Sequence, residues 1–100
     1  MKLITATVRT TSLDNVVKCL KDIDIREMTI SEIRRIGDET PLSQHYIIHN
    51  RIDILIPDEK VEKIVDMILQ HTHTGLAGDG FIAVLPVDYM IKIRTKKKLV

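Results

Sequence analysis

The sequence predicts an α+β fold in which a four-stranded antiparallel sheet carries two helices on one face. Three features of the 100 residues predict it: short stretches of alternating apolar and polar residues, two stretches with apolar residues at helical spacing, and their order along the chain. That order is strand, helix, strand, repeated once. Two such units in a chain of this length are typical of the ferredoxin-like βαββαβ sandwich.

The first unit occupies the first half of the chain. Residues 2–9 alternate in polarity and predict a strand. Ser12 precedes an apolar stripe at helical spacing, so we predict a helix over residues 13–23 with Ser12 as its N-cap. Residues 28–36 are rich in β-branched side chains and predict a strand, although isoleucines spaced by three would also suit a helix. Residues 37–50 follow no period and contain many turn formers, which indicates a loop.

The second unit repeats the pattern. Alternation over residues 52–56 predicts a strand, and an apolar stripe over residues 61–68 predicts a helix capped by Asp58. A glycine-rich segment at residues 74–80 must be a loop. The apolar run at residues 81–85 lies between a glycine and a proline and predicts a buried strand.

Composition limits the classes of function. The chain is 44% apolar and 29% charged, as expected for one globular domain spanning residues 1–100, and its small size favours an oligomer. A net charge of +1 and only three aromatic residues predict no nucleic-acid partner. Cys19 is the single cysteine, which excludes an internal disulfide, and no leader-like or membrane-spanning run is present, so we expect a cytoplasmic protein. No catalytic constellation or metal-ligand set stands out, so we expect neither an enzyme nor an obligatory cofactor.

Two features point to an anionic ligand. The glycines of residues 74–80 would let backbone amides surround an anion, although a plain connection with positive φ angles explains them equally well. Near the C-terminus a short strand is predicted at residues 91–94, with Lys92 and Arg94 on one face about 7 Å apart. Two cations at that spacing suit a di- or triphosphate, but charges that protect an edge strand would look the same. The basic residues 96–98 are expected to be solvated.

These motifs resemble the PII signal-transduction family over nearly the whole chain. The resemblance is most specific in the glycine segment, and the remaining motifs support it. It rests on Thr74-Gly75, Gly78-Asp79-Gly80, Leu85-Pro86-Val87 and Ile91-Lys92-Ile93-Arg94-Thr95, and in the first half on Leu13-Asp14 and Met28-Thr29-Ile30-Ser31-Glu32-Ile33.

The resemblance implies a homotrimer of ferredoxin-like subunits that binds ADP, ATP or AMP in clefts between subunits. The B-loop, residues 74–80, would hold phosphates, and the C-loop, residues 92–100, would reach the same phosphates from a neighbouring subunit. The T-loop, residues 37–50, would change shape with the ligand and dock onto a membrane transporter or a metabolic enzyme. The implied nucleotide-binding residues are Thr29, Gly37, Asp53, Leu55, Thr74, Gly75, Gly78, Asp79, Gly80, Phe81, Lys92 and Arg94.

Several positions depart from the family pattern. Asp38 stands where the family has a phosphate-contacting arginine, and Glu39 stands where a glutamine helps to hold magnesium with 2-oxoglutarate. Phe81 replaces a lysine, and Lys92 replaces an arginine that could bind in a bidentate manner. The T-loop is shortened, and Tyr46 lies in a different context from the tyrosine that some members have uridylylated. We therefore expect weak selection for ATP over ADP or AMP and no 2-oxoglutarate sensing through magnesium-ATP.

Two other functions fit the sequence. The chain could be a nucleotide-independent trimeric adaptor that docks a partner through its short loop and basic tail. It could also be a sensor of a small anion such as bicarbonate, bound in the same cleft.

Overall fold

The alternating stretches form one antiparallel sheet in the computed structural model, which describes residues 1–37 and 40–99. Its strands are β1 (Lys2–Arg9), β2 (Thr29–Arg35), β3 (Ile47–Ile56) and β4 (Gly80–Pro86), in the spatial order β2-β3-β1-β4. The helices are α1 (Leu13–Asp22) and α2 (Val61–Thr72). The predicted α+β sandwich is confirmed, and no helix within the described ranges is long and apolar enough to cross a bilayer.

The core lies between the sheet and the two helices. In β1 the side chains of Ile4, Ala6 and Val8 face the helices and are almost fully buried, which settles which of the two alternating sets of β1 is internal. The strands next to β1 also contribute side chains to the core at the paired positions, because paired residues in an antiparallel sheet point to the same face. The other core residues on the sheet and helices are Val16, Leu20, Ile52, Ile54, Ile56, Ile64 and Ile68.

The face of the sheet opposite the helices leaves several large apolar side chains exposed. Leu3 pairs with Leu55 on one side and with Leu85 on the other, which places three leucines in one row. Leu55 and Leu85 remain more than 40% exposed, and Phe81 on the same face is 54% exposed. A row of large apolar side chains on an open sheet face is typical of a surface that packs against another molecule.

The chain ends in a hairpin separate from the main sheet, formed by β5 (Met90–Lys92) and β6 (Lys97–Leu99). The strand predicted over residues 91–94 therefore begins and ends earlier, and Arg94 lies in the turn rather than beside Lys92 on a strand face. Residues 96–98 are exposed, as predicted, and two of them also form part of β6. Lys96 adopts a positive φ of 57°, which reverses the chain and allows this pairing.

β3 begins earlier than predicted and shortens the segment expected to be a loop. Residues 47–50 are strand, because Ile47 pairs with Arg35 of β2 and His49 pairs with Arg9 of β1. Residues 47–50 were not predicted as strand because their polar side chains interrupt the alternation of apolar and polar residues that indicates a strand.

Ser12 occupies the predicted N-cap position of α1, whereas the N-cap position of α2 is Lys60 rather than Asp58. Neither the Ser12 nor the Asp58 side chain makes a capping hydrogen bond, and each residue lies in a short 3₁₀ turn that precedes its helix. Asp58 instead lies 2.8 Å from the N-terminal ammonium group of Met1, which lowers the pKa of its carboxyl group below the ordinary value. The helices are stabilised mainly by packing of their apolar faces, which include the buried Val16, Leu20, Ile64 and Ile68, against the sheet.

Candidate functional site

One cleft brings together five of the residues expected to bind a nucleotide. Thr29 opens β2 and pairs with Asp53 of β3, and Leu55 lies two residues further along β3 on the same face. The C-terminal hairpin places Lys92 and Arg94 at the other side of this cleft, whose volume is about 990 Å³. Residues separated by more than sixty positions in the chain therefore line a single concave surface large enough for a nucleotide.

The cleft carries groups of both charges. Its cations are Lys92, Arg94 and Arg26, and its acids are Glu27 and Asp53. No local pattern singles out Arg26 in the sequence, since it lies in the irregular segment between α1 and β2.

The carboxylate of Asp53 lies 3.4 Å from Nε of Arg51, a neighbour on the same strand face. This contact orients the carboxylate, which retains free lone pairs for a hydroxyl donor such as those of ribose.

The B-loop is organised by its own aspartate. The backbone amides of Thr74 and Gly75 donate to the carboxylate of Asp79 at 2.8 and 2.9 Å, and the Thr74 hydroxyl donates to the same group. The Thr74 hydroxyl oxygen also accepts a bond from the amide of Leu76 at 3.2 Å. Hydrogen bonds from Thr74 and Gly75, with the nearby charge of Arg9, lower the pKa of Asp79 from 3.8 to about 2.

Protonation of Asp79 is expected to loosen the B-loop only in strong acid. Because folding lowers this pKa, the contacts contribute fully above 3.8 and are lost as the pH falls through about 2. Hydrogen exchange of the Thr74 and Gly75 amides measures the effect. An Asp79→Asn variant, which mimics the neutral group, should lose their protection already at neutral pH. Unchanged protection in that variant would contradict the assigned role of the carboxylate.

The glycines of the B-loop serve different purposes. Gly80 has a φ of 98°, and a Cβ atom there would lie 1.8 Å from the carbonyl oxygen of Thr7. This glycine is required by the close approach of β4 to β1, independently of any ligand. Gly78 has a φ of 94°, and no close atom is found for a Cβ added there. Glycine at this position therefore suits the backbone conformation of the turn rather than a close contact.

Two residues missed at the sequence level hold the B-loop against the sheet. Arg9 donates from Nε to the carbonyl oxygen of Gly78 at 3.0 Å and from Nη2 to that of Ala77 at 2.7 Å. Nε2 of His49 lies 3.2 Å from the same Gly78 oxygen, so this nitrogen carries the proton. Neither residue belongs to a local motif, because the two meet the loop only through strand pairing across β1 and β3.

The B-loop and the cleft lie at opposite ends of the sheet in one chain. Gly80 pairs with Val8 near the end of β1, whereas Leu55 pairs with Leu3 near its start. Val8 and Leu3 are five residues apart along β1, which corresponds to a distance of about 17 Å between the two ends. A single chain therefore presents two separated halves of the expected site.

The remaining predicted residues lie at the B-loop end. Phe81 pairs with Thr7, and its side chain is half exposed. Gly37 lies two residues beyond the end of β2, and its amide donates to the Thr40 hydroxyl oxygen at 3.0 Å. The two acidic replacements at positions 38 and 39 lie outside the described residues.

The other sequence candidates do not assemble into a second site. Over residues 1–37 and 40–99, no group of three or more histidine, cysteine, aspartate or glutamate residues could hold a metal ion. Cys19 is half-buried, with its sulfur 3.1 Å from Nε2 of His71.

Comparison with known proteins identifies the family of this chain. The family model described as nitrogen regulatory protein P-II matches residues 1–97. Proteins named nitrogen regulatory protein P-II from Nostoc punctiforme and Haemophilus influenzae are 33% and 34% identical over 98% and 95% of this chain, and over 96% and 93% of their own lengths. One from Azospirillum brasilense is 31% identical over 98% of this chain and 96% of its own. This chain belongs to the nitrogen regulatory protein P-II family, whose members are regulatory signalling proteins rather than enzymes.

Proposed function

We propose that this P-II family member binds ADP, ATP or AMP at clefts between the subunits of a homotrimer and so regulates a partner protein in the cytoplasm. The observation that carries the proposal is the separation of two complementary half-sites at opposite ends of one sheet. One half offers a concave surface with a carboxylate and cations, and the other offers a glycine loop. Neighbouring copies can bring the two halves together, whereas one chain cannot.

The cleft suits the base and ribose. Leu55 offers an exposed apolar side chain for the flat face of adenine, and Thr29 and Asp53 offer a hydroxyl and a carboxylate directly across a strand pair. A carboxylate accepts hydrogen bonds from ribose hydroxyls. Lys92 and Arg94 then lie on the far side of the cleft, where the phosphates of the same molecule would emerge.

The B-loop suits phosphate from the neighbouring copy. No hydrogen bond of the amides of Ala77 and Gly78 is found among the described residues, so these donors are open to an anion, whereas the Asp79 amide closes the turn over Ala77 and Gly78. Loop amides and the two hairpin cations together would surround one phosphate chain at the seam.

The open sheet face supports the trimer. Its leucine row and Phe81 expose large apolar area that a single chain leaves in water, and packing three copies together would bury it. The leucine row runs beside the cleft, since Leu3 and Leu55 line both. The same association that buries the row would therefore bring a neighbour's B-loop toward the cleft.

The T-loop supports contact with a partner, for which we propose a membrane transporter or a metabolic enzyme. Leu42 is fully exposed and Ile36 is 78% exposed, at one end of the sheet and close in sequence to Gly37. Arg34 lies over the ring of Tyr46 with 4.8 Å to the centroid, which ties the end of the T-loop to β2. A ligand near Gly37 can therefore influence the surface that a partner meets.

Titration calorimetry tests the proposal. We expect ADP, ATP and AMP each to bind in the micromolar range, with modest differences because a cation is missing at Phe81. Addition of 2-oxoglutarate should not strengthen ATP binding. Absence of heat with all three nucleotides would contradict the proposal and favour the nucleotide-independent adaptor. Displacement of a bound nucleotide by bicarbonate would favour the anion sensor.

A further inference from the structure

The B-loop is held through its carbonyl groups rather than through its amides. Arg9, at the end of β1, donates to the oxygens of Ala77 and Gly78 at 2.7 and 3.0 Å, and His49 of β3 also meets the Gly78 oxygen. Arg9 and His49 are register partners, so they approach the loop side by side. His49 is 97% buried and therefore has little freedom to move away.

Fixing these carbonyls also fixes the direction of two amides. In a trans peptide unit the C=O and the following N–H point in opposite directions, and no cis peptide bond occurs in the described chain. The Ala77 carbonyl shares its unit with the Gly78 amide, and the Gly78 carbonyl shares its unit with the Asp79 amide. Because both carbonyls point toward Arg9, both amides must point away from it.

The rest of the loop is held by a different contact. The carboxylate of Asp79 takes the amides of Thr74 and Gly75, and lies 3.4 Å from Nη2 of Arg9. Arg9 therefore joins the two anchored parts of the loop and has its charge partly matched by Asp79. Its observed hydrogen bonds all go to the loop itself.

We propose that Arg9 is the positioning residue of the phosphate loop: through the carbonyls of Ala77 and Gly78 it holds the turn that the Asp79 amide closes, and so aims the Gly78 amide at an anion. This inference rests on the proposed function, because it assumes that the loop receives the phosphates of a nucleotide. Arg9 itself is not a phosphate ligand. It acts from behind the loop, with His49 as the second contact on the Gly78 oxygen.

The test compares Arg9→Ala and Arg9→Lys with the unaltered protein. A lysine keeps the charge but lacks the planar fork that reaches two carbonyls at once. We expect both variants to bind ADP about tenfold more weakly, the loss of roughly one charge-assisted hydrogen bond, while adenosine binds as before. Lys63→Ala, which removes an exposed charge on α2, is the matched control and should change neither affinity.

Three binding results would overturn the inference. Equal weakening of ADP and adenosine would indicate general destabilisation, wild-type ADP affinity in Arg9→Lys would show that only charge matters, and unchanged affinity in Arg9→Ala would show no role. NMR relaxation without ligand separates this inference from the proposed function. A lower order parameter of the Gly78 N–H bond in Arg9→Ala should appear even if no nucleotide binds, and an unchanged order parameter would also overturn the positioning role.

Discussion

Gly80→Ala is expected to lower the free energy of unfolding by about 3 kcal/mol. Two costs add in this variant. The new Cβ would lie 1.8 Å from the carbonyl oxygen of Thr7, and the residue would keep a φ of 98° that side chains rarely adopt. The obstacle is backbone of the neighbouring strand, so it cannot rotate away, and the β1–β4 ladder must shift at its end.

Gly75→Ala is the matched control for this prediction. Its φ is 82°, and the nearest atom to an added Cβ is on the His73 side chain at 4.0 Å, so only conformational strain of about 1 kcal/mol is expected. Denaturant unfolding at one fixed protein concentration compares the variants, since association shifts apparent stability. Equal losses of unfolding free energy in Gly75→Ala and Gly80→Ala would show that the close approach to Thr7 does not exclude a side chain at position 80.

Removal of both hairpin cations should have the largest effect on binding. In the double variant Lys92→Ala/Arg94→Ala we expect ADP affinity to fall about a hundredfold, because each charge-assisted hydrogen bond to phosphate contributes about 1.5–3 kcal/mol. The same net charge is removed by Lys21→Ala/Lys63→Ala, on the exposed faces of the helices. That control should bind ADP as the unaltered protein does. Calorimetry at constant salt measures all three proteins.

The effect should also depend on the number of phosphates. Loss of these cations should weaken ATP and ADP more than AMP, and leave adenosine almost unaffected. A double variant that binds ADP as tightly as the control would place the phosphates away from the hairpin.

Much of the fold could be predicted because periodicity reports directly on burial. The alternating residues of β1 and the apolar stripe of α2 have one face in the core, and the sequence shows that face without any tertiary information. β3 was predicted to begin at Ile52 rather than Ile47. Its first residues include His49 and Asn50, which are polar but buried because they pair with both neighbouring strands. A hydrophobicity pattern does not show strand pairing of polar residues.

The candidate site was predictable only where a motif lies in one stretch of chain. The B-loop and the hairpin cations are local motifs, and the resemblance assigned Thr29, Asp53 and Leu55, which the structure places in one cleft with those cations. Arg9 and His49 could not be found in this way, because their contacts to the loop depend on strand register and span 69 and 29 positions of sequence.

The central claim is that one nucleotide is held by the B-loop of one copy and the hairpin cations of another. Mixed trimers of two defective variants test it: Gly78→Val, which obstructs the loop, and Lys92→Ala/Arg94→Ala, which removes the cations. Seams where an intact loop meets intact cations should form in the mixture, so ADP binding of wild-type affinity should return at a fraction of the sites. If both groups served the same chain's site, every subunit would carry one defect, and no mixture would regain binding.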